Sequence, residues 1–271
     1  MGNEDKFIVS KMMVKFKGHS LLQVVLLVSL VFLMQTAKSV YAADAAADGK
    51  KIYESRCVIC HGPKGDGKGL VDLVHRVEKK GMTWSIFPRD FTAGVFKFRT
   101  TPTGCMPVDS DLMRVISNGI PRAYMPASTD LSEKERKAVI QYIKSFSPRW
   151  KDEQPCQPVA IKKPAWVGNP DSVAKGEKVW ENMKCWECHG KEGKGDGTKS
   201  DSLKDDWGDK VVPFDFTSGA TKMGFAPENV FIAYTTGLDG TGMPSFQDSL
   251  SEEDRWHLVS YTLKLMGRLS K

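Results

Sequence analysis

The chain is short of most features that mark the specialised protein classes. Only six of its 271 residues are cysteine, too few for a disulfide-dense scaffold. It has one long apolar run, residues 21–34, which excludes a multi-span membrane protein. With 14 Pro, 24 Gly and 41% hydrophobic residues, a collagen-like, low-complexity or wholly disordered chain is also excluded. Strand signals are weak throughout. No basic stripe of the kind that tracks nucleic acid is present, so no nucleic-acid partner is expected. What remains is a length that suits about two ordinary domains.

The amino terminus reads as an address. Lys11, Lys15 and Lys17 precede the run LLQVVLLVSLVFLM, and Val40-Tyr41-Ala42 then offers a small-residue cleavage site. The run has 14 residues, short of the ~20 that a spanning helix needs. Residues 1–42 are therefore expected to be an export signal, with an uncleaved anchor, and so membrane association, as the rival reading. Glu4 and Asp5 are unusual in a signal, which leaves initiation at Met12 or Met13 open. Either way the remainder is expected in a bacterial periplasm. The formal net charge is +6, and it is unevenly spread. Residues 43–148 hold 17 basic and 12 acidic side chains, residues 165–271 hold 13 and 17. That asymmetry could orient docking of oppositely charged partners, but it is equally ordinary surface solvation.

The exported part repeats. DGKKIYESRCVICHGPKGDGKG near residue 48 is matched by AKGEKVWENMKCWECHGKEGKGDG near residue 174. Each copy goes on to a Pro-x-Asp-Phe-Thr segment (Pro88 to Thr92, Pro213 to Thr217) and to a Met-Pro pair, Met125-Pro126 and Met243-Pro244. Each closes on a helical pattern opened by Leu-Ser-Glu, where Ser132 and Ser251 are expected N-caps with acids in the first turn. Two tandem domains, 43–148 and 170–271, are expected. The Pro-rich stretch 149–169 between them is expected to be an extended, semi-rigid connector. The Gly- and Pro-rich loops are long for domains of this size, and a large planar cofactor would supply the core they lack.

Cys57, Cys60 and His61 form one Cys-x-x-Cys-His string; Cys185, Cys188 and His189 form another. Two intervening residues place both sulfurs on one side of a tight turn, where each can form a thioether with a haem vinyl group. The adjacent histidine then becomes the proximal iron ligand. The pattern is that of c-type haem attachment, and two copies predict two covalent haem c groups. A thioredoxin-like pair would need a βαβ setting, which is absent. A single zinc site would need its halves closer than 128 residues.

On these motifs the chain resembles the class I cytochrome c family, duplicated into a di-haem protein. The resemblance implies an all-α fold of two tandem class I cytochrome c-like domains, each a few helices wrapped around a covalent haem. It also implies a crossing of first and last helices through a glycine and an aromatic. Gly49 with Tyr53, and Gly176 with Trp180, match the first partner; Val139 with Tyr142, and Leu258 with Tyr261, match the second. The FPRDFTAGVFKFRTTPTG stretch is similar to haem-c subunits of respiratory complexes, which implies redox proteins or respiratory subunits as partners.

The sixth iron ligand decides between carrier and enzyme. Met125 and Met243 are the expected distal ligands, since proline holds each of them extended in a loop before the last helix, where the family carries its methionine. Rivals in the first domain are Met106, Cys105 and His75; His75 and His257 could each make a bis-His haem, although His257, inside the last helix pattern, is expected to be a surface or packing residue. A Cys105 thiolate ligand would favour a thiosulfate dehydrogenase-like enzyme, and a labile ligand a peroxidase. Cys105 and Cys156 otherwise either pair or stay free. Pro88, Phe91, Pro213 and Phe216 are expected to be apolar walls. Arg89 and Arg99 are candidates for haem propionates, and Trp84, Trp186 and Trp207 for packing. The Gly-Asp-Gly strings at 65–67 and 195–197 are expected to be surface turns rather than phosphate loops. The expected function is transfer of single electrons between partners.

Overall fold

The computed structural model describes residues 29, 48–69, 75–79, 82–219 and 221–269, with only the backbone given for 75–79 and 82–85. The chain divides into two units, residues 1–48 and 49–271. The expected leader at 1–42 lies, apart from Ser29, outside the described residues. Among the described residues no helix is long and apolar enough to cross a membrane.

The second unit is helical and holds two similar halves. The first half carries α1 (residues 49–56), α2 (Val58–His61), α3 (Asp109–Asn118), α4 (Glu133–Lys144) and the short α5 (Arg149–Asp152). The second carries α6 (Pro170–Asn182), α7 (Trp186–His189), α8 (Pro227–Thr236) and α9 (Glu252–Leu265). The sequence starts these helices where expected. Ser132 caps α4 in a capping box, its side chain accepting from Glu135 N while the Glu135 carboxylate accepts from Ser132 N at 2.7 Å. Ser251 caps α9 by accepting from Asp254 N at 3.0 Å. Asn169 caps α6 ahead of Pro170, whose fixed φ suits a first helical residue.

Each half has its own core. One gathers Tyr53, Phe91, Leu112, Val139, Ile140 and Ile143; the other gathers Trp180, Phe216, Phe231, Trp256, Leu258 and Tyr261. In both, the first helix crosses the last long one, α4 or α9, at a glycine. A methyl group on Gly49 would sit 2.2 Å from Ala138 O, and one on Gly176 would sit 2.0 Å from His257 O. The aromatics complete the crossing as expected: Tyr53 lies 5.3 Å from Tyr142 and Trp180 5.6 Å from Tyr261, ring centre to ring centre. The obstacle is backbone carbonyl in each case, so the helices themselves must separate to admit a side chain. Gly176→Ala is therefore expected to cost about 3 kcal/mol or more, read as a lower urea midpoint with an unchanged slope.

One feature was not legible from sequence, and a second was left open by it. An antiparallel hairpin, β1 (His75–Lys79) and β2 (Met82–Ile86), decorates the first half with His75 opposite Ile86 and Lys79 opposite Met82. The side chains of His75 and Trp84 lie outside the described residues. The second feature is the path of the connector. Of the expected connector 149–169 only 153–164 is free of helix and turn, since Arg149–Asp152 forms α5 and 165–168 a turn. That stretch is bound to the first half: Cys156 forms a disulfide with Cys105, with Cα atoms 5.8 Å apart, and Val159 N donates to Thr100 O at 2.8 Å. The pairing left open by sequence is thus made, and it removes Cys105 from the candidate iron ligands.

Candidate functional site

Each Cys-x-x-Cys-His string forms a single helical turn. Cys57 and Cys185 stand at the N-caps of α2 and α7, and His61 and His189 are their last residues. The two cysteines of a string are three apart and so share a helix face. Gly62 and Gly190 end the turns at φ 75° and 78°, a region closed to most side chains.

The loops beyond these turns aim the histidines. Gly67 N donates to His61 O at 3.0 Å and Gly195 N to His189 O at 2.7 Å, which closes the Gly-Asp-Gly turns. Gly65 O then accepts from Phe91 N and Gly193 O from Phe216 N, both at 2.7 Å, docking the Pro-x-Asp-Phe-Thr segments. Asp90 and Asp215 tighten those segments by accepting from the backbone and hydroxyl of Thr92 and Thr217. The outcome is the same in both halves: His61 Nδ1 bonds Arg89 O at 3.1 Å, and His189 Nδ1 bonds Phe214 O at 3.1 Å. A carbonyl can only accept, so each Nδ1 carries the proton and Nε2 keeps its lone pair. Burial holds both imidazoles below the ordinary histidine pKa, which keeps them neutral. Phe91 stacks on His61 at 4.5 Å and Phe216 lies 5.0 Å from His189, so these side chains are indeed walls.

The methionines sit on matching loops. Gly119 ends α3 and Gly237 ends α8; from there Ile120 N donates to Met125 O at 2.8 Å and Leu238 N to Met243 O at 3.1 Å. Met125 and Cys57 pack against the first core, Met243 and Cys185 against the second. The two cysteine pairs thus belong to different cores. Burial also raises the Cys57 thiol to about 11 and the Cys185 thiol to about 12, the reverse of what a reactive or zinc-binding thiolate needs.

A family model described as cytochrome C oxidase, cbb3-type, subunit III matches residues 44–143 and 171–261, well over half of the chain. The chain belongs to that family of c-type cytochromes. Its two matched segments are the two halves described above, tandem all-α cytochrome c domains. Among solved structures it is similar to a chain of the Kuenenia stuttgartiensis reducing HAO-like protein complex. The two are 40% identical with a TM-score of 0.74 over 80% of this chain and 95% of that one. A search of curated proteins found no match. Domains of this kind bind haem c covalently, and the residues present fit it. Each half offers two neutral thiols on one face, an imidazole with a free Nε2 held by its Nδ1 bond, and a methionine on a loop over the same core.

This cytochrome corrects several readings of its sequence. Arg99 is no propionate candidate, because it is wholly buried and bonded to Asp239, Thr236 O, Phe96 O and Pro102 O. Trp207 is not core: it is 40% exposed and lies under the Arg89 guanidinium, 4.8 Å away. Trp186 packs on the second core as expected. His257 packs too, against Trp166 and hydrogen-bonded to Ser172 Oγ at 2.9 Å. Met106 is fully buried. Sequence reasoning missed Lys97 and Lys222. Among the described residues neither makes an ion pair; burial pushes Lys97 down to about 7, and Lys222 and Arg89 push it further the same way. Lys222 is lowered by burial and by Arg89 and Arg122. Nothing in their local sequence context distinguishes these lysines from solvated ones.

Proposed function

We propose that this cytochrome carries two haem c groups and passes single electrons between redox proteins in the periplasm, as a carrier or a subunit of a respiratory complex. Cys57 and Cys60 would hold one haem by thioethers, with His61 proximal and Met125 distal; Cys185, Cys188, His189 and Met243 would do the same for the other. Residues 1–42 would be the export signal, and 43–148 and 170–271 the functional domains joined by 149–169. Such a haem supplies a reversible one-electron change at iron. The chain's own part is to orient and to exclude. The carbonyls of Arg89 and Phe214 fix the tautomer and plane of each imidazole and raise its basicity. Phe91 and Phe216 keep water from the ring edges. Arg89, Lys97 and Lys222 are half-buried cations, suited to the carboxylates that haem bears.

The observation that carries this reading is the twofold bond from a histidine Nδ1 to the carbonyl after Pro88 and after Pro213, which leaves two Nε2 atoms ready for iron. The protein similar in structure is a chain of a reducing HAO-like complex, which supports a redox partner. With methionine at both distal positions no coordination site would be left for a substrate, and electron transfer rather than catalysis would follow. The test is the oxidised absorption spectrum of purified protein. The weak long-wavelength band of methionine-bound ferric iron is expected at an intensity matching two haems, and to fall by about half in Met125→Ala and again by half in Met243→Ala. A band for one haem would revive a di-haem oxidoreductase with a labile site, and no covalent haem would overturn the reading.

A further inference from the structure

The loop that carries Met243 is rich in glycine. Between the end of α8 and Met243 run Gly237, Leu238, Asp239, Gly240, Thr241 and Gly242, three of them glycine. Its internal ties meet at Leu238 and Thr241: Leu238 N donates to Met243 O at 3.1 Å, Thr241 N and Oγ1 donate to Leu238 O at 3.0 and 2.7 Å, and Met243 N donates to Thr241 Oγ1 at 3.3 Å. The firm anchor comes from the other domain. Asp239 Oδ2 accepts from Arg99 Nη2 at 2.7 Å and from Gly104 N at 2.8 Å, while Oδ1 accepts from Thr103 Oγ1 at 2.7 Å. Arg99 cannot turn away. Its side chain is wholly buried, and Nη2 also donates to Thr236 O, the last residue of α8, at 2.9 Å. Behind it, Arg149 Nη2 holds Gly104 O at 2.9 Å, and the next residue, Cys105, is in the disulfide.

The first domain's own methionine loop is built otherwise. Ile120 and Met125 exchange both backbone bonds, at 2.8 and 3.2 Å, around a one-turn helix opened by Pro121. It reaches across the junction through the exposed Arg122, which donates to Ser218 and lies 5.1 Å over the Phe214 ring. Both loops close on themselves, and the second is in addition held by a buried ion pair from the other domain.

We propose that Arg99 and Asp239 are positioning residues for Met243, so that the first domain holds the distal-ligand loop of the second. This rests on Met243 being a distal ligand. The consequence is one-sided: the ligation of the second haem depends on the first domain, while the first haem keeps its ligand without help.

Imidazole competes with methionine for ferric iron, so the test is an imidazole titration of the oxidised holoprotein, followed by the methionine band. Asp239→Asn preserves shape and removes the charge. It is expected to retain two covalent haems, to lose about half of the band or reach half-loss at roughly tenfold lower imidazole, and to leave the Met125 half unchanged. Thr103→Val, which removes one exposed bond, is expected to move the same half in the same direction by less, and serves where Asp239→Asn does not accumulate. Arg99→Lys, which keeps the charge, is expected to fall between them. A merely structural contact would lower the melting temperature and leave imidazole affinity unaltered at both sites, and that result overturns the proposal. If Met243→Ala leaves the wild-type band intact, Met243 is no ligand, and the functional reading fails with the latch. If Met243→Ala halves the band while Asp239→Asn and Thr103→Val change nothing, the latch alone fails.

Discussion

Serine at Cys57 and Cys60 together is expected to take the covalent haem of the purified protein from two equivalents to one, measured as haem stain per protein on a denaturing gel. The same change at Cys185 and Cys188 is expected to do likewise, and all four substitutions to abolish it. The expectation rests on the two strings being independent. They stand on separate one-turn helices, pack on separate cores, and share no side chain. It also rests on the state of the sulfurs. Burial keeps Cys57 and Cys185 as neutral thiols, held for addition across a vinyl group rather than for a metal or a disulfide. Two equivalents surviving in the first variant would show that the string is not the point of attachment. Because the Gly- and Pro-rich loops wrap the place where haem would lie, the altered domain is also expected to lose helical signal, and the intact one to keep it.

The second large effect concerns the staple. Cys105–Cys156 closes a loop of 51 residues, and in the chain-entropy account a loop of that length restricts the unfolded ensemble by about 4 kcal/mol. Cys156→Ser is thus expected to lower the thermal midpoint by roughly 10 °C. Addition of a thiol reductant is expected to bring the wild type down to the variant and to leave the variant where it was. A variant as stable as the wild type would mean that Val159 N to Thr100 O and the Arg149 contacts hold the connector without it.

How much of this was legible in the sequence divides by distance along the chain. The repeat, the helix caps at Ser132 and Ser251 and the Cys-x-x-Cys-His turns are local patterns or pairs of local patterns, whereas the glycine crossings were implied by the family resemblance. The chemistry of the local patterns can be read because each residue's neighbours in sequence are its neighbours in space. The Asp-Thr pairs at 90–92 and 215–217 were visible as a repeated word, but their work in docking a carbonyl on His61 and His189 needed the fold. Contacts between the halves were not visible at all. Arg99 and Thr236 meet across 137 positions, and nothing around Arg99 separates a buried guanidinium from one reaching for a propionate. The hairpin at 75–86 was missed for a different reason: HRVEK and MTWSI are too short and too mixed to stand out against irregular loop.

The connector, finally, is a strut. A stretch of proline-rich chain between two domains would ordinarily let them swing apart, but this one is riveted to the first domain at Cys156 and again at Val159, and the domains are clasped to each other at Arg99 and Asp239. The spacing between the two centres is therefore a property of the covalent and hydrogen-bonded frame, not of thermal search. In the proposed function, a molecule built this way would work as a short length of wire with fixed terminals, to which its partners would have to come.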